Sequence, residues 1–112
     1  KILRWMVNLF TPAEDHLMGQ EKCVRVIITG TVQGVGFRWR ARQAALSLGL
    51  SGWIKNRLGG GVEAVFQGPP ESVDQMIEWI QVGPPGAVVR EVMYLHCDPD
   101  LGRSDFLILR ST

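Results

Sequence analysis

The chain has 112 residues, 46% hydrophobic and 21% charged, with 12 Lys and Arg against 11 Asp and Glu for a formal net charge of +1. That length supports one hydrophobic core and one domain. A balance so near neutral, with no basic stripe, argues against a nucleic-acid partner, and no apolar run approaches the roughly 20 residues that span a bilayer.

Residues 1–21 read as an N-terminal extension outside the core. Ile2, Trp5, Met6 and Leu9 recur at helical spacing, which predicts a short amphipathic helix that Thr11-Pro12 would end. Lys1 and Arg4 flank apolar residues, but a long apolar core and a small-residue cleavage site are both missing, so a signal peptide is not indicated. Met18 is a candidate natural start. The alternatives are a disordered or loosely docked tail and, less favoured, a membrane or partner helix.

Residues 22–112 carry the signals of a folded domain. Val24–Val32 is β-branched and roughly alternating, which predicts a first strand. A glycine-rich stretch, Gln33-Gly34-Val35-Gly36-Phe37, separates it from a helix over about Arg38–Leu48, with Phe37, Ala41, Ala44, Ala45 and Leu48 on one face and Gly49 placed to stop it. Gly52–Asn56 and Val62–Gln67 read as a hairpin whose turn, Gly59-Gly60-Gly61, supplies positive φ angles. A second helix is expected over Pro70–Val82, with Pro70 and Glu71 suited to its first turn and Val73, Met76, Ile77 and Ile80 as its buried stripe. Gly83-Pro84-Pro85-Gly86 ends it. Val88–Cys97 predicts a fourth strand, Asp98–Gly102 a turn, and Phe106–Leu109 a short closing strand. The order βαββαβ plus that closing strand predicts an α+β, ferredoxin-like split β-α-β sandwich, two helices on one face of an antiparallel sheet. Such a fold hosts many functions, so function must come from a site.

The informative stretch is Gly30-Thr31-Val32-Gln33-Gly34-Val35-Gly36-Phe37-Arg38. Its glycines let the backbone curl and point successive N–H groups at one spot, and the helix starting beside it adds unpaired donors and a partial positive charge. The planar fork of Arg38 can grip two phosphate oxygens at once. Opposite unit charges about 4 Å apart are worth about 4 kcal/mol at an effective dielectric near 20, so one arginine with several backbone donors could hold a phosphoryl dianion without a metal. The lysine and glycine spacing of the Walker loop and the dinucleotide fingerprint are both absent. On the pattern alone, a plain strand-to-helix turn with a solvent-facing arginine remains open.

The run from Gly30 to Arg38 resembles the acylphosphatase signature, as does Gly52-Trp53-Ile54-Lys55-Asn56 followed by Gly60 and Val62-Glu63. Gly83-Pro84-Pro85 and Phe106 fit too, and the resemblance spans about residues 23–110. One departure is Gly59, which stands where the family often has the aspartate of an Asp-Gly turn; it should alter the turn's flexibility more than the chemistry. The resemblance implies a hydrolase of acyl phosphates. Arg38 and the N–H groups of Gln33, Gly34, Val35, Gly36, Phe37 and Arg38 would bind the phosphoryl group, and Asn56 would orient the attacking water. It also implies no cofactor and no metal, a small acyl phosphate as substrate, inorganic phosphate as product and competitive inhibitor, a cytoplasmic monomer, and neither nucleic-acid nor membrane partners.

The remaining chemistry-bearing residues have plainer readings. His16 and His96 are taken as surface or structural, Trp53 and Trp79 as core or sheet packing, and Arg40 and Arg42 as an exposed helix face. Cys23 and Cys97 lack metal-ligand spacing and read as partly buried thiols in a reducing compartment. The expected pairing of the first and fourth strands nevertheless sets them near each other, so a disulfide under oxidation stays open. Two rival functions remain: a domain like those at the start of hydrogenase-maturation proteins acting on carbamoyl phosphate, which the shortness of the chain disfavours, and an RNA or protein interaction module. The latter would place aromatics on the sheet, and strand one has none.

Overall fold

The computed structural model describes residues 21–112; the readings of a short helix and of a start at Met18 lie outside the described residues. The elements are β1 (Lys22–Thr31), α1 (Phe37–Ser47), β2 (Ser51–Asn56), β3 (Val62–Gly68), α2 (Pro70–Val82), β4 (Val88–His96) and β5 (Phe106–Ile108). The strands form one sheet in the order β4-β1-β3-β2-β5, giving the ferredoxin-like α+β arrangement.

Alternation along β1 sets the inner face. Val24, Val26 and Ile28 are buried while Arg25 is exposed. Opposite them on β3 stand Phe66, Ala64 and Val62, and opposite those on β2 stand Gly52, Ile54 and Asn56. Directly paired residues share a sheet face, so Asn56 lies on the same side as this apolar set. Ala41 and Ala45 of α1 and Val73, Met76 and Ile80 of α2 cover that side. The rings of Phe66 and Phe106 stack at 5.4 Å, and Phe37 meets Trp79 edge-on at 5.8 Å, tying the start of α1 to α2. A fully buried aromatic of this kind stabilises by roughly 1.5–3 kcal/mol. Trp53 is half-buried on the opposite, open face, with the Lys55 ammonium 5.4 Å from its ring.

The sheet is mixed rather than antiparallel throughout. β5 runs parallel to β2, pairing Gly52 with Phe106 and Ile54 with Ile108. The cause is the route of residues 97–105. They follow one end of the sheet from the β4 edge to the β2 edge instead of making a tight turn, so β5 starts at the end where β2 starts. Gln67, 2% exposed, holds the crossing: its amide donates to the Asp100 carbonyl at 2.6 Å and accepts from the Asp100 N–H at 2.9 Å. The Gly52 N–H then donates to the Asp105 carbonyl at 2.9 Å.

Cys23 and Cys97 are joined as a disulfide, with their α-carbons 5.2 Å apart. This corrects the reading of two free thiols. β1 and β4 are antiparallel neighbours, so the start of one meets the end of the other, and the Cys97 N–H also donates to the Cys23 carbonyl.

Candidate active site

At the other end of the sheet β1 runs into the loop 32–36 and then α1. Gly34 and Gly36 both sit at φ 75°, the left-handed region that side-chain-bearing residues rarely enter. A Cβ at either would touch nothing within 4 Å, so what these positions require is the backbone angle, not the space. Gly36 is the N-cap of α1, with no side-chain cap and no acidic residue in the first turn. The first helical bond runs from the Arg40 N–H to the Gly36 carbonyl, so Phe37, Arg38 and Trp39 present N–H groups without an intrahelical acceptor. Phe37 is 1% exposed: its ring is a core anchor that fixes the loop's exit, leaving only its N–H for a ligand.

A cleft of about 180 Å³ opens here. Gly34 and Gly36 line it together with Val32, Phe37, Arg38, Trp39 and Ile108. Arg38 is half-buried, and among the described residues no carboxylate forms an ion pair with it. Its charge is therefore not neutralised within the fold.

Gln33 joins this loop to the β2–β3 turn. Its side-chain amide donates to the carbonyls of Arg57 at 2.9 Å and Gly61 at 2.8 Å. The same turn is closed by Arg57 N–H to Gly61 carbonyl and Gly60 N–H to Arg57 carbonyl, with Gly60 and Gly61 at positive φ. Gly59 is not among the positive-φ positions, so the turn does not depend on the residue that departs from the family pattern. Arg57 follows Asn56 directly, so the clasp brings the end of β2 to the glycine loop. The Asn56 side-chain oxygen Oδ1 is buried and has no hydrogen-bond partner among the described residues. Buried polar atoms are nearly always paired, and an orphan calls for a ligand or a functional reason.

The structure thus brings Gly34, Gly36, Phe37 and Arg38 to one cleft; Gln33 and Asn56 are not among its lining residues, and Gln33 ties the glycine loop to the turn after Asn56. Val35 is half-buried, packed against the core. Three features escaped the sequence reading. The Gln33 side chain acts as a clasp, where only its N–H was expected to matter. Trp39 and Ile108 line the cleft. Arg42 is half-buried rather than part of an exposed helix face, with its Nε donating to the Phe106 carbonyl at 2.8 Å. Glycine spacing could flag the loop; no local pattern reveals partners this distant in sequence.

Comparison with known proteins decides the family. The Acylphosphatase family model matches residues 24–108. The chain belongs to the acylphosphatase family. It is 47% identical over 77 residues to an acylphosphatase of Trichormus variabilis, covering 69% of this chain and 76% of that one. The crystal structure of acylphosphatase from Bacillus subtilis superposes with a TM-score of 0.75 at 33% identity, covering 79% of this chain and 98% of that one. Full-length HypF in its phosphate- and nucleotide-bound form aligns with a TM-score of 0.75 at 26% identity, over 82% of this chain but 12% of HypF. The acylphosphatase assignment makes the chain a hydrolase on a ferredoxin-like fold. Among the described residues no helix is long and apolar enough to cross a membrane, and no group of three or more His, Cys, Asp or Glu gathers as metal ligands.

Proposed function

We propose that the protein hydrolyses the carboxyl–phosphate bond of acyl phosphates, using Arg38, backbone amides and Asn56 and needing no metal. One observation carries the reading: a left-handed glycine loop at an uncapped helix start, with Arg38 beside it, is clasped by Gln33 to the turn that follows Asn56, and among the described residues neither Arg38 has a carboxylate partner nor the buried Asn56 Oδ1 a hydrogen-bond partner. The N–H groups of Gln33 to Arg38 and the Arg38 guanidinium hold the phosphoryl oxygens. Inorganic phosphate, which presents the same oxygens, competes for the cup.

The Asn56 amide oxygen accepts from a water O–H and aims its oxygen at phosphorus. The new P–O bond forms as the bond from phosphorus to the acyl oxygen breaks, and the carboxylate leaves with the electron pair. The water's proton passes to a phosphoryl oxygen, giving carboxylate and dihydrogen phosphate. A carboxylate is a good leaving group, and phosphoryl transfer asks chiefly for positioning and charge stabilisation. That is why a guanidinium, amides and one carboxamide suffice without a nucleophilic side chain.

The test is hydrolysis of benzoyl phosphate beside a phosphate monoester, with and without a strong chelator. Turnover of the acyl phosphate alone, unaffected by the chelator, is expected. Preference for the monoester, or inhibition reversed by added magnesium, would overturn the reading.

A further inference from the structure

The cleft has two chemically different walls, and the proposed reaction uses only one. The loop amides and Arg38 form the polar wall. The other is apolar. Val32 and Phe37, each 1% exposed, belong to the core and offer a ligand almost no side-chain surface. Trp39 and Ile108 are different: they line the same cleft yet stay 56% and 39% exposed. An indole and a branched aliphatic side chain, drawn from the first turn of α1 and from β5, thus both line the cleft beside the phosphate cup with much of their surface in water. The two elements that carry them, α1 and β5, are tied to each other. Arg42, one turn along α1, bonds the Phe106 carbonyl, and the Phe106 ring is buried against Phe66. Such a preset apolar surface beside a polar anchor is the usual make-up of a small-molecule site.

We propose that Trp39 and Ile108 form a shelf for the acyl group and so set the substrate class: acyl phosphates with bulky apolar acyl groups, aromatic or long aliphatic, over compact or charged ones. The inference rests on the hydrolase reading above. In an acyl phosphate a single oxygen joins phosphorus to the carbonyl carbon, so with the phosphoryl group in the cup the acyl skeleton must lie against the nearest wall. Among the described residues Arg38 is the one charged residue lining the cleft, and the phosphoryl group engages it. An amino or carboxylate substituent on the acyl group therefore finds no partner and loses water for nothing. An aromatic ring instead covers exposed indole and isoleucine surface. The shelf touches the acyl group before and during the reaction alike, so its contribution should appear mainly in KM.

The experiment compares benzoyl phosphate with acetyl phosphate, measuring kcat and KM for the full chain and for Trp39→Ala, Trp39→Phe and Ile108→Ser. The wild type should favour benzoyl phosphate by about tenfold or more in kcat/KM. Trp39→Ala should lose about tenfold for benzoyl phosphate through KM and stay within about twofold for acetyl phosphate, with Ile108→Ser showing a smaller shift of the same sign and Trp39→Phe retaining most of the preference. Equal losses for both substrates, or none for either, overturn the shelf while leaving the hydrolase reading intact. If the wild type hydrolyses neither acyl phosphate, the hydrolase reading fails and the shelf with it. Thermal melts of the variants separate a lost contact from a lost fold.

Discussion

The two ends of the sheet are fastened in opposite ways. At the end where β1 begins, the polar groups that hold the chain are matched to one another: the Cys23–Cys97 disulfide joins β1 to β4, and buried Gln67 clamps Asp100 with both halves of its amide. At the end where β1 stops, donors and an acceptor are left over. The helix start is uncapped, and among the described residues Arg38 has no carboxylate partner and the buried Asn56 Oδ1 has no hydrogen-bond partner. The ends are roughly 26 Å apart along β1 at about 3.3 Å per residue. A fold can leave polar groups unsatisfied at one end because the cost is confined there and the rest is tightly held, and a site for an anion and a water needs those unspent groups.

The comparison breaks most sharply at Arg38. Arg38→Lys keeps the charge but loses the bidentate fork, and acyl phosphate turnover should fall by about 10³-fold with little change in melting temperature. Steady-state kinetics checks this, and near-normal turnover would remove the assigned role. Asn56→Ala should lower kcat by about 10²-fold while the inhibition constant of inorganic phosphate stays within about threefold. Its stability signature is diagnostic. Removing a buried oxygen that has no protein partner should leave the protein as stable or slightly more so. A clear loss of stability would mean that Asn56 serves the fold and not the water.

The elements were largely legible because each carries its own period or punctuation. Pro70–Val82 is the helix the spacing predicts, and Gly34 and Gly36 announce a curled loop before α1. What was not legible depends on residues far apart in sequence. The parallel pairing of β5 follows from where residues 97–105 travel, and Asp98–Gly102 looks locally like a simple turn. Arg42 was misjudged because a helix position that appears solvent-facing is covered by a strand some sixty residues later in the chain. The site was half legible: glycines and Arg38 mark a cup, but nothing near Gln33 shows that its side chain reaches Arg57 and Gly61.

That clasp gives the next prediction. Gln33→Ala removes two hydrogen bonds and leaves the Arg57 and Gly61 carbonyls with only their backbone partners within the turn. Each bond contributes about 0.5–1.5 kcal/mol net, so the variant should lose about 1–3 kcal/mol. Turnover should fall about tenfold, because the end of β2 is then free to drift by fractions of an ångström from the loop. Denaturant titration and kcat, measured together, test the coupling. A stability loss with full turnover would show that the clasp holds the turn without positioning Asn56.

The smallest effect on catalysis should come from the largest local constraint. The disulfide closes a span of 74 residues, and restricting the unfolded chain over such a loop stabilises by about 2–4 kcal/mol. Replacing both cysteines by alanine should cost that much, seen as a lower denaturation midpoint, yet leave kcat unchanged because the bond lies at the far end of β1 from the cleft. A cytoplasmic location and a bonded pair make opposite demands, since reducing compartments keep thiols free. Thiol titration of the denatured, air-oxidised protein should find no free cysteine. Two reactive thiols there would show that β1 and β4 are held by their ladder alone, and the contrast between the two ends would then rest on Gln67.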